Sequence, residues 1–133
     1  MDVTVEGGGT RAATDTERVN FVTMAIDTET ALSTGISRLR TQQDLFADAQ
    51  ESRRLRVKIG ELTAQLAMID AELQAALADQ RAILPPTDKE VRTMKGLVTT
   101  LDGLIAGQQK TTGILKAVTD AANAWAGRQP AKA

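Results

Sequence analysis

The side chains that could do chemistry in this chain are carboxylates, hydroxyls and one cluster of basic residues. Asp44 and Asp48 stand four positions apart, a spacing that puts two carboxylates on one face of a helix, where they could hold a cation. No third ligand accompanies them, and the chain has no Cys and no His. The composition therefore excludes disulfides, thiolate chemistry, the common zinc sites and His-based acid–base catalysis.

The hydroxyl groups also lack the partners that catalysis requires. Thr99-Thr100 and Thr111-Thr112 have no neighbouring base that could activate an oxygen nucleophile. Gly7-Gly8-Gly9 lacks the Lys and the strand-to-helix context of a phosphate-binding loop. We therefore expect a protein that is not an enzyme and that has no cofactor, no metal and no small-molecule substrate.

The basic cluster consists of Arg53, Arg54, Arg56 and Lys58. Basic residues on one helix face can track phosphates, but acidic residues flank this cluster and no aromatic residue is interleaved. The net charge of the whole chain is −1. We therefore interpret the cluster as a solvated helix face and do not expect nucleic-acid binding.

The composition favours helices over sheets as the elements that hold these side chains. The hydrophobic fraction is 42%, but 21 of those residues are Ala, and the only aromatic residues are Phe21, Phe46 and Trp125. Ala-rich and aromatic-poor sequences suit closely packed long helices. The sequence predicts an all-α fold.

The strongest periodic pattern runs from Leu55 to Leu77, with large apolar residues separated by steps of four and three. This alternation places them on one stripe of a helix, as in a coiled coil or bundle. We call this stripe the apolar seam; its residues are Leu55, Ile59, Leu62, Leu66, Ile69 and Leu73.

Pro85-Pro86 ends that helix, and Thr87 or Asp88 can cap a new one. A break followed at once by a capped start predicts a tight connection between antiparallel helices. We expect the second helix to cover residues 88–126. The residues that would complement the apolar seam are Val91, Met94, Val98, Leu101 and Ile105.

The N-terminal part predicts a helix that begins after Thr14, because Thr14 and Glu17 have the spacing of a capping box. The apolar period weakens near Gly35 and then resumes. We favour one continuous helix over residues 15–82 with a soft point at Gly35. The alternative is that the chain turns at Gly35 and forms a three-helix bundle.

The predicted architecture is a long antiparallel helical hairpin that forms a single domain over residues 14–127. Flexible tails are expected at residues 1–13 and 128–133. A helix over 15–82 would be about 100 Å long, against about 58 Å for 88–126. The shorter helix would leave part of the N-terminal helix uncovered, so the predicted interaction residues also include Val19, Val22 and Ile26.

These features indicate a structural or interaction protein that self-assembles or binds a partner's helices through its apolar positions. Residues 1–50 carry 4 basic and 8 acidic side chains, and residues 88–133 carry 7 and 4, so the two ends would attract each other. The alternative is a membrane-active amphipathic protein that acts through residues 97–125. Neither a cleavable signal peptide nor a transmembrane span is predicted, which favours a cytoplasmic protein or export by a signal-peptide-independent machine.

The predicted architecture resembles the needle, rod and filament subunits of type III secretion systems. Those proteins are also small, Cys-free helical hairpins with a Pro-containing turn, here Pro85-Pro86, and no signal peptide. The resemblance covers architecture only and involves no shared motif. It implies a subunit of a larger secretion-type or filamentous assembly.

Overall fold

The computed structural model describes residues 14–45, 48–78, 84–107 and 111–128. It confirms the all-α class: the described part of the chain is a bundle of four helices. The bounds are α1 Asp15–Leu45, α2 Ala49–Ala78, α3 Asp88–Ala106 and α4 Thr111–Ala126. Three predictions lie outside the described residues: the tail at residues 1–13, the tail at residues 128–133 apart from Arg128, and the helix end at residue 82.

Two of the helices start at caps that the sequence predicts, a capping box at Thr14 and a cap at Thr87 or Asp88. The Thr14 hydroxyl accepts a hydrogen bond from the Glu17 backbone N–H at 3.1 Å, and the Glu17 carboxylate accepts one from the Thr14 N–H at 2.9 Å. Thr87 and Glu90 make the same reciprocal pair at the start of α3. Each pair satisfies amides that have no partner within the helix, which fixes where the helix begins.

The single helix predicted over residues 15–82 is wrong, because the chain reverses between Leu45 and Ala49. The Asp48 carboxylate accepts a hydrogen bond from the Glu51 backbone N–H at 2.8 Å, so Asp48 caps a new helix. The Gln43 side chain then donates to the Ser52 backbone oxygen across the turn at 3.1 Å. The fold-back, for which the sequence offers Gly35 as a candidate, therefore occurs about ten residues later.

Helix α1 is the centre of the bundle, and each of the other three helices packs against it. Contacts between Asn20 and Asp88, and between Lys95 and Asp27, show that α3 runs parallel to α1. Thr111 bonds to Gln42 near one end of α4, and Trp125 meets Phe21 near the other, so α4 is antiparallel to α1. Helices α2 and α3 barely touch. A groove lies between α1 and α2, lined by Ser33 and Ile36 on α1 and by Thr63 and Leu66 on α2.

The buried face of α1 differs from the one that the sequence predicts. Val19 and Ile26 are 62% and 49% exposed, whereas the fully buried large side chains of α1 include Phe21, Met24, Leu32 and Leu39. The apolar period weakens in α1 because this face includes the polar residue Thr28, which is buried. Its hydroxyl donates to the Met24 backbone oxygen at 2.6 Å, so it occupies the core without an unsatisfied polar group.

Gly35 is neither a turn nor a soft point, because it lies within α1 where that helix meets α4. A Cβ atom built on Gly35 would lie 2.0 Å from Cγ2 of Val118. The absence of a side chain at Gly35 therefore lets the two helices approach closely.

The single helix predicted over residues 88–126 is also wrong. Helix α3 ends at Ala106, where the Gly107 backbone N–H donates to the Gly103 oxygen at 3.0 Å, and α4 begins at Thr111. Helix α4 can then turn back to pack against both α1 and α3. As a result α1, and not the chain after Pro86, supplies the main cover for the apolar seam.

Candidate interaction surface

The structure places most of the predicted interaction residues inside the bundle. The buried ones are Leu55, Ile59, Leu62, Ile69, Leu73, Val91, Met94 and Leu101. Those partly buried and packed against the core are Val22, Leu66, Val98 and Ile105. Only Val19 and Ile26 are exposed. A single copy of the chain thus covers the apolar seam by itself, and a surface for a partner must be sought elsewhere.

The strongest candidate is the side of α2 that points away from the bundle. Positions repeated at three- and four-residue steps form a stripe on this side, and none of them is charged. We call this stripe the α2 outer face; its residues are Val57, Gly60, Ala64, Met68, Ala71 and Ala75, all exposed.

Two side chains make this face more apolar than an ordinary solvated surface. Val57 is 60% exposed and Met68 is 66% exposed, and small residues surround them. A solvated helix normally places charged residues opposite its buried stripe. Helix α2 has an apolar stripe on both sides, and only the apolar seam is covered within the chain.

Charged residues border the α2 outer face, with opposite signs at its two ends. The basic cluster of Arg53, Arg54, Arg56 and Lys58 lies in the first third of α2, whereas Asp70 and Glu72 lie in the last third. By helical spacing, Arg56 and Asp70 occupy the same flank of the face. The surface therefore has an apolar centre, a basic end and an acidic end.

The acidic end includes an unusual pair of carboxyl groups. Glu29 on α1 and Asp70 on α2 line the groove between the helices, and among the described residues neither forms an ion pair. Burial raises the pKa of Glu29 above its usual 4.5, and the neighbouring Asp70 charge and hydrogen bond raise that pKa further. The pair concentrates negative charge beside the α2 outer face.

Neutralising Glu29 is expected to stabilise the fold at neutral pH. A raised folded-state pKa means that this group favours folding below pH 4.5 and that the advantage is lost as the pH rises through the raised value. Glu29→Gln should therefore raise the thermal unfolding midpoint at about pH 7, and the gain should shrink as the pH falls towards about 4. Glu61→Gln is the control, because Glu61 is exposed beside Lys58 and should show no such gain. An equal rise of the unfolding midpoint at both pH values would contradict a raised pKa for Glu29.

A second cluster, at the end of the bundle, was missed in the sequence because Arg128 was assigned to the flexible C-terminal tail. The Arg128 side chain is 4% exposed, and its guanidinium carbon lies 3.8 Å from the centre of the Trp125 ring. Arg128 donates to the oxygen of Leu84 at 3.1 Å and forms an ion pair with Glu72. The Trp125 indole N–H also donates to Glu72, at 3.0 Å.

This cluster is structural, because its charged and polar groups already bond to one another. The signal that could have revealed it is the position of Arg128 just after a helix end, where a cation can bond to the last carbonyl groups. Its Nη1 atom donates to the Trp125 oxygen at 2.9 Å. The cluster holds the ends of α2 and α4 together and leaves little bonding capacity for a ligand.

The described residues show no arrangement suited to binding a metal ion or crossing a membrane. No group of three or more acidic side chains in this part of the chain could hold a metal ion. Asp48, considered above with Asp44 as a cation ligand, instead caps α2. Within the same residues, every helix is too short or too polar to traverse a bilayer. Comparison with protein-family models, curated proteins and solved structures finds no match to this chain.

Proposed function

We propose that this protein is a non-enzymatic interaction protein that binds another helical surface through the α2 outer face. The observation that carries the proposal is the second apolar stripe of α2. Helix α2 has 30 residues, and one side of it packs into the bundle while the other exposes Val57 and Met68 among Ala and Gly. Exposed apolar patches with a polar border are typical of protein-binding sites.

A helix suits this surface better than a loop or a strand. The small residues of the face permit a partner helix to approach to about 8 Å between axes, the lower end of the usual range. At that distance Val57 and Met68 can insert between the partner's side chains. The charged residues on the flanks would then select the partner and its direction.

The membrane alternative has no comparable support. It would act through residues 97–125, but Leu101, Ile114, Val118 and Trp125 in that range are buried in the bundle. Exposing them to lipid would require α3 and α4 to leave α1. A role as a subunit of a larger secretion-type or filamentous assembly is a finer form of the proposal, and exposed Val19 and Ile26 on α1 would offer a further contact for it.

Site-specific photo-crosslinking tests the proposal. A benzophenone amino acid at Met68 should form covalent protein adducts in the cells that produce the protein, and mass spectrometry of the adduct should map the attachment to a helical segment. The control is the same group at Thr100, which is exposed on α3. The proposal predicts adducts from position 68 that Ala64→Glu removes. Absence of adducts at 68, or equal adducts at 100, would overturn it.

A further inference from the structure

We infer that the partner of the α2 outer face is the α2 outer face of a second copy, packed antiparallel about a two-fold axis beside Ala64. This inference rests on the proposed function and names its partner. Two-fold dimers are the commonest symmetric assemblies, and they require a surface that is complementary to itself. The α2 outer face meets this requirement in the sizes of its side chains and in its charges.

The side-chain sizes match when the axis passes beside Ala64. Ala64 then meets Ala64 of the second copy, which allows the closest approach at the centre. Gly60 lies four positions before Ala64 and Met68 lies four after it, so each Met68 faces a Gly60. Beyond the adjacent helix backbone, nothing in the same chain lies within 4 Å of the place that a Cβ atom on Gly60 would take. Val57 faces Ala71 by the same symmetry. Large residues thus pack against small ones on both sides of Ala64, from Val57 to Ala71.

The charges match in the same register. In an antiparallel pair, equivalent flanks of the two helices face each other, so Arg56 of one copy lies near Asp70 of the other. The symmetry produces this pair twice. The helix dipoles also oppose each other in this arrangement, which is favourable.

The carboxyl pair of Glu29 and Asp70 supplies an independent reason for a cation at this position. Among the described residues neither group has an ion-pair partner in its own chain. Arg56 of the second copy would supply a positive charge beside them. The dimer therefore compensates a concentration of negative charge that the single chain leaves exposed.

A parallel pairing lacks these matches. It would put the flanks that carry Arg56 and Asp70 on opposite sides of the interface, so the two attractive pairs between Arg56 and Asp70 could not form. It would also place Met68 against Met68 and Gly60 against Gly60, which makes one contact too crowded and leaves another empty. The sequence of α2 therefore specifies the direction of the pairing as well as the surface.

Cysteine crosslinking tests the register directly, since the natural chain contains no Cys. Oxidation of an Ala64→Cys variant should produce a disulfide-linked dimer. Val57→Cys alone should not, because the two cysteines would be about 21 Å apart along the axis. A mixture of Val57→Cys and Ala71→Cys chains should crosslink. Crosslinking of Val57→Cys alone, or of Thr100→Cys on α3, as efficiently as Ala64→Cys would overturn the inference.

A charge exchange tests the polar contacts by light scattering over a concentration series. The wild-type mass should rise with concentration from 14.2 kDa to twice that value. Arg56→Asp and Asp70→Arg should each raise the dimer dissociation constant roughly tenfold, because two attractive pairs become repulsive. The double variant, which exchanges the charges, should restore association. If the double variant does not regain dimer association, the pairing of Arg56 with Asp70 is overturned.

The outcomes separate this inference from the proposed function. A mass of 14.2 kDa at every concentration, with no Ala64→Cys crosslink, would overturn the dimer. Photo-adducts from position 68 to a different protein would then still support the α2 outer face as a binding surface. Monomeric behaviour without photo-adducts would overturn both.

Discussion

Replacing Trp125 by Ala is expected to lower the free energy of unfolding by about 3–5 kcal/mol, the usual cost of truncating a buried large aromatic residue. Trp125 is 3% exposed, and its ring centre lies 5.5 Å from that of Phe21. The substitution also removes the ring on which Arg128 stacks and the indole donor that bonds to Glu72. Urea unfolding followed by circular dichroism at 222 nm measures the loss without relying on Trp fluorescence.

Trp125→Phe separates the contribution of the ring from that of the indole N–H. It keeps an aromatic surface for Phe21 and Arg128 but leaves Glu72 without one donor. We expect an intermediate loss, with hydrogen bonds to charged groups accounting for about 1.5–3 kcal/mol. A loss below about 1 kcal/mol for Trp125→Ala would be inconsistent with the burial of this residue.

Gly35→Ala is expected to destabilise the protein, although Ala is ordinarily the better helix former by about 1 kcal/mol. The new methyl group would lie 2.0 Å from Cγ2 of Val118, so α1 and α4 must separate or distort. Overpacking of this kind typically costs about 1–3 kcal/mol, and the severity of this overlap places the expected cost at the upper end. The loss is measured from the urea midpoint.

Gly96→Ala is the matched control, because Gly96 is exposed in α3 and a built Cβ has no atom within 4 Å. This substitution should raise stability by up to about 1 kcal/mol. In a Val118→Ala background the collision with Cγ2 disappears, and the nearest remaining atom is the Cβ of residue 118 at 3.2 Å. Gly35→Ala should therefore cost much less there than in the wild-type protein. A coupling between the two substitutions of less than about 0.5 kcal/mol would show that the helices do not meet at this point.

The sequence predicts the helical class, the apolar seam and the capped helix starts, at Thr14 and at Thr87 or Asp88, because each depends on local spacing. Steps of three and four place Leu55 and Leu73 on one stripe whatever covers it. A capping box involves only residues three positions apart. These features are independent of the tertiary arrangement, and the structure confirms them.

The first reversal lies at Asp48 and not at Gly35, because the Asp48 carboxylate caps a new helix whereas a single glycine does not end one. Asp48 and Glu51 have the spacing of a helix start, but Asp48 was considered only as a partner of Asp44. The sequence predicts a soft point or a turn at Gly35 because glycine disfavours a helix. Its actual role depends on Val118, 83 positions along the chain, and no local pattern could reveal that contact.

Burial of polar residues accounts for the remaining differences between the predicted structure and the observed one. Thr28 is 0% exposed and the Arg128 side chain is 4% exposed, yet residue type alone places both in solvent. Thr28 bonds within its own helix, whereas Arg128 needs Glu72 and the Trp125 ring from elsewhere in the fold. The sequence also did not predict the α2 outer face as a binding surface. A helix with two apolar sides does not indicate which side its own chain will cover.

The central position of α1 has a consequence for protein synthesis. Helix α1 is the first described helix to leave the ribosome, but α4, which covers its Gly35 side, is the last. Met24 and Leu32 therefore lack their full set of neighbours while the rest of the chain is being made. The nascent chain carries an incompletely covered apolar helix through most of its translation, and the bundle can close only after Trp125 has emerged.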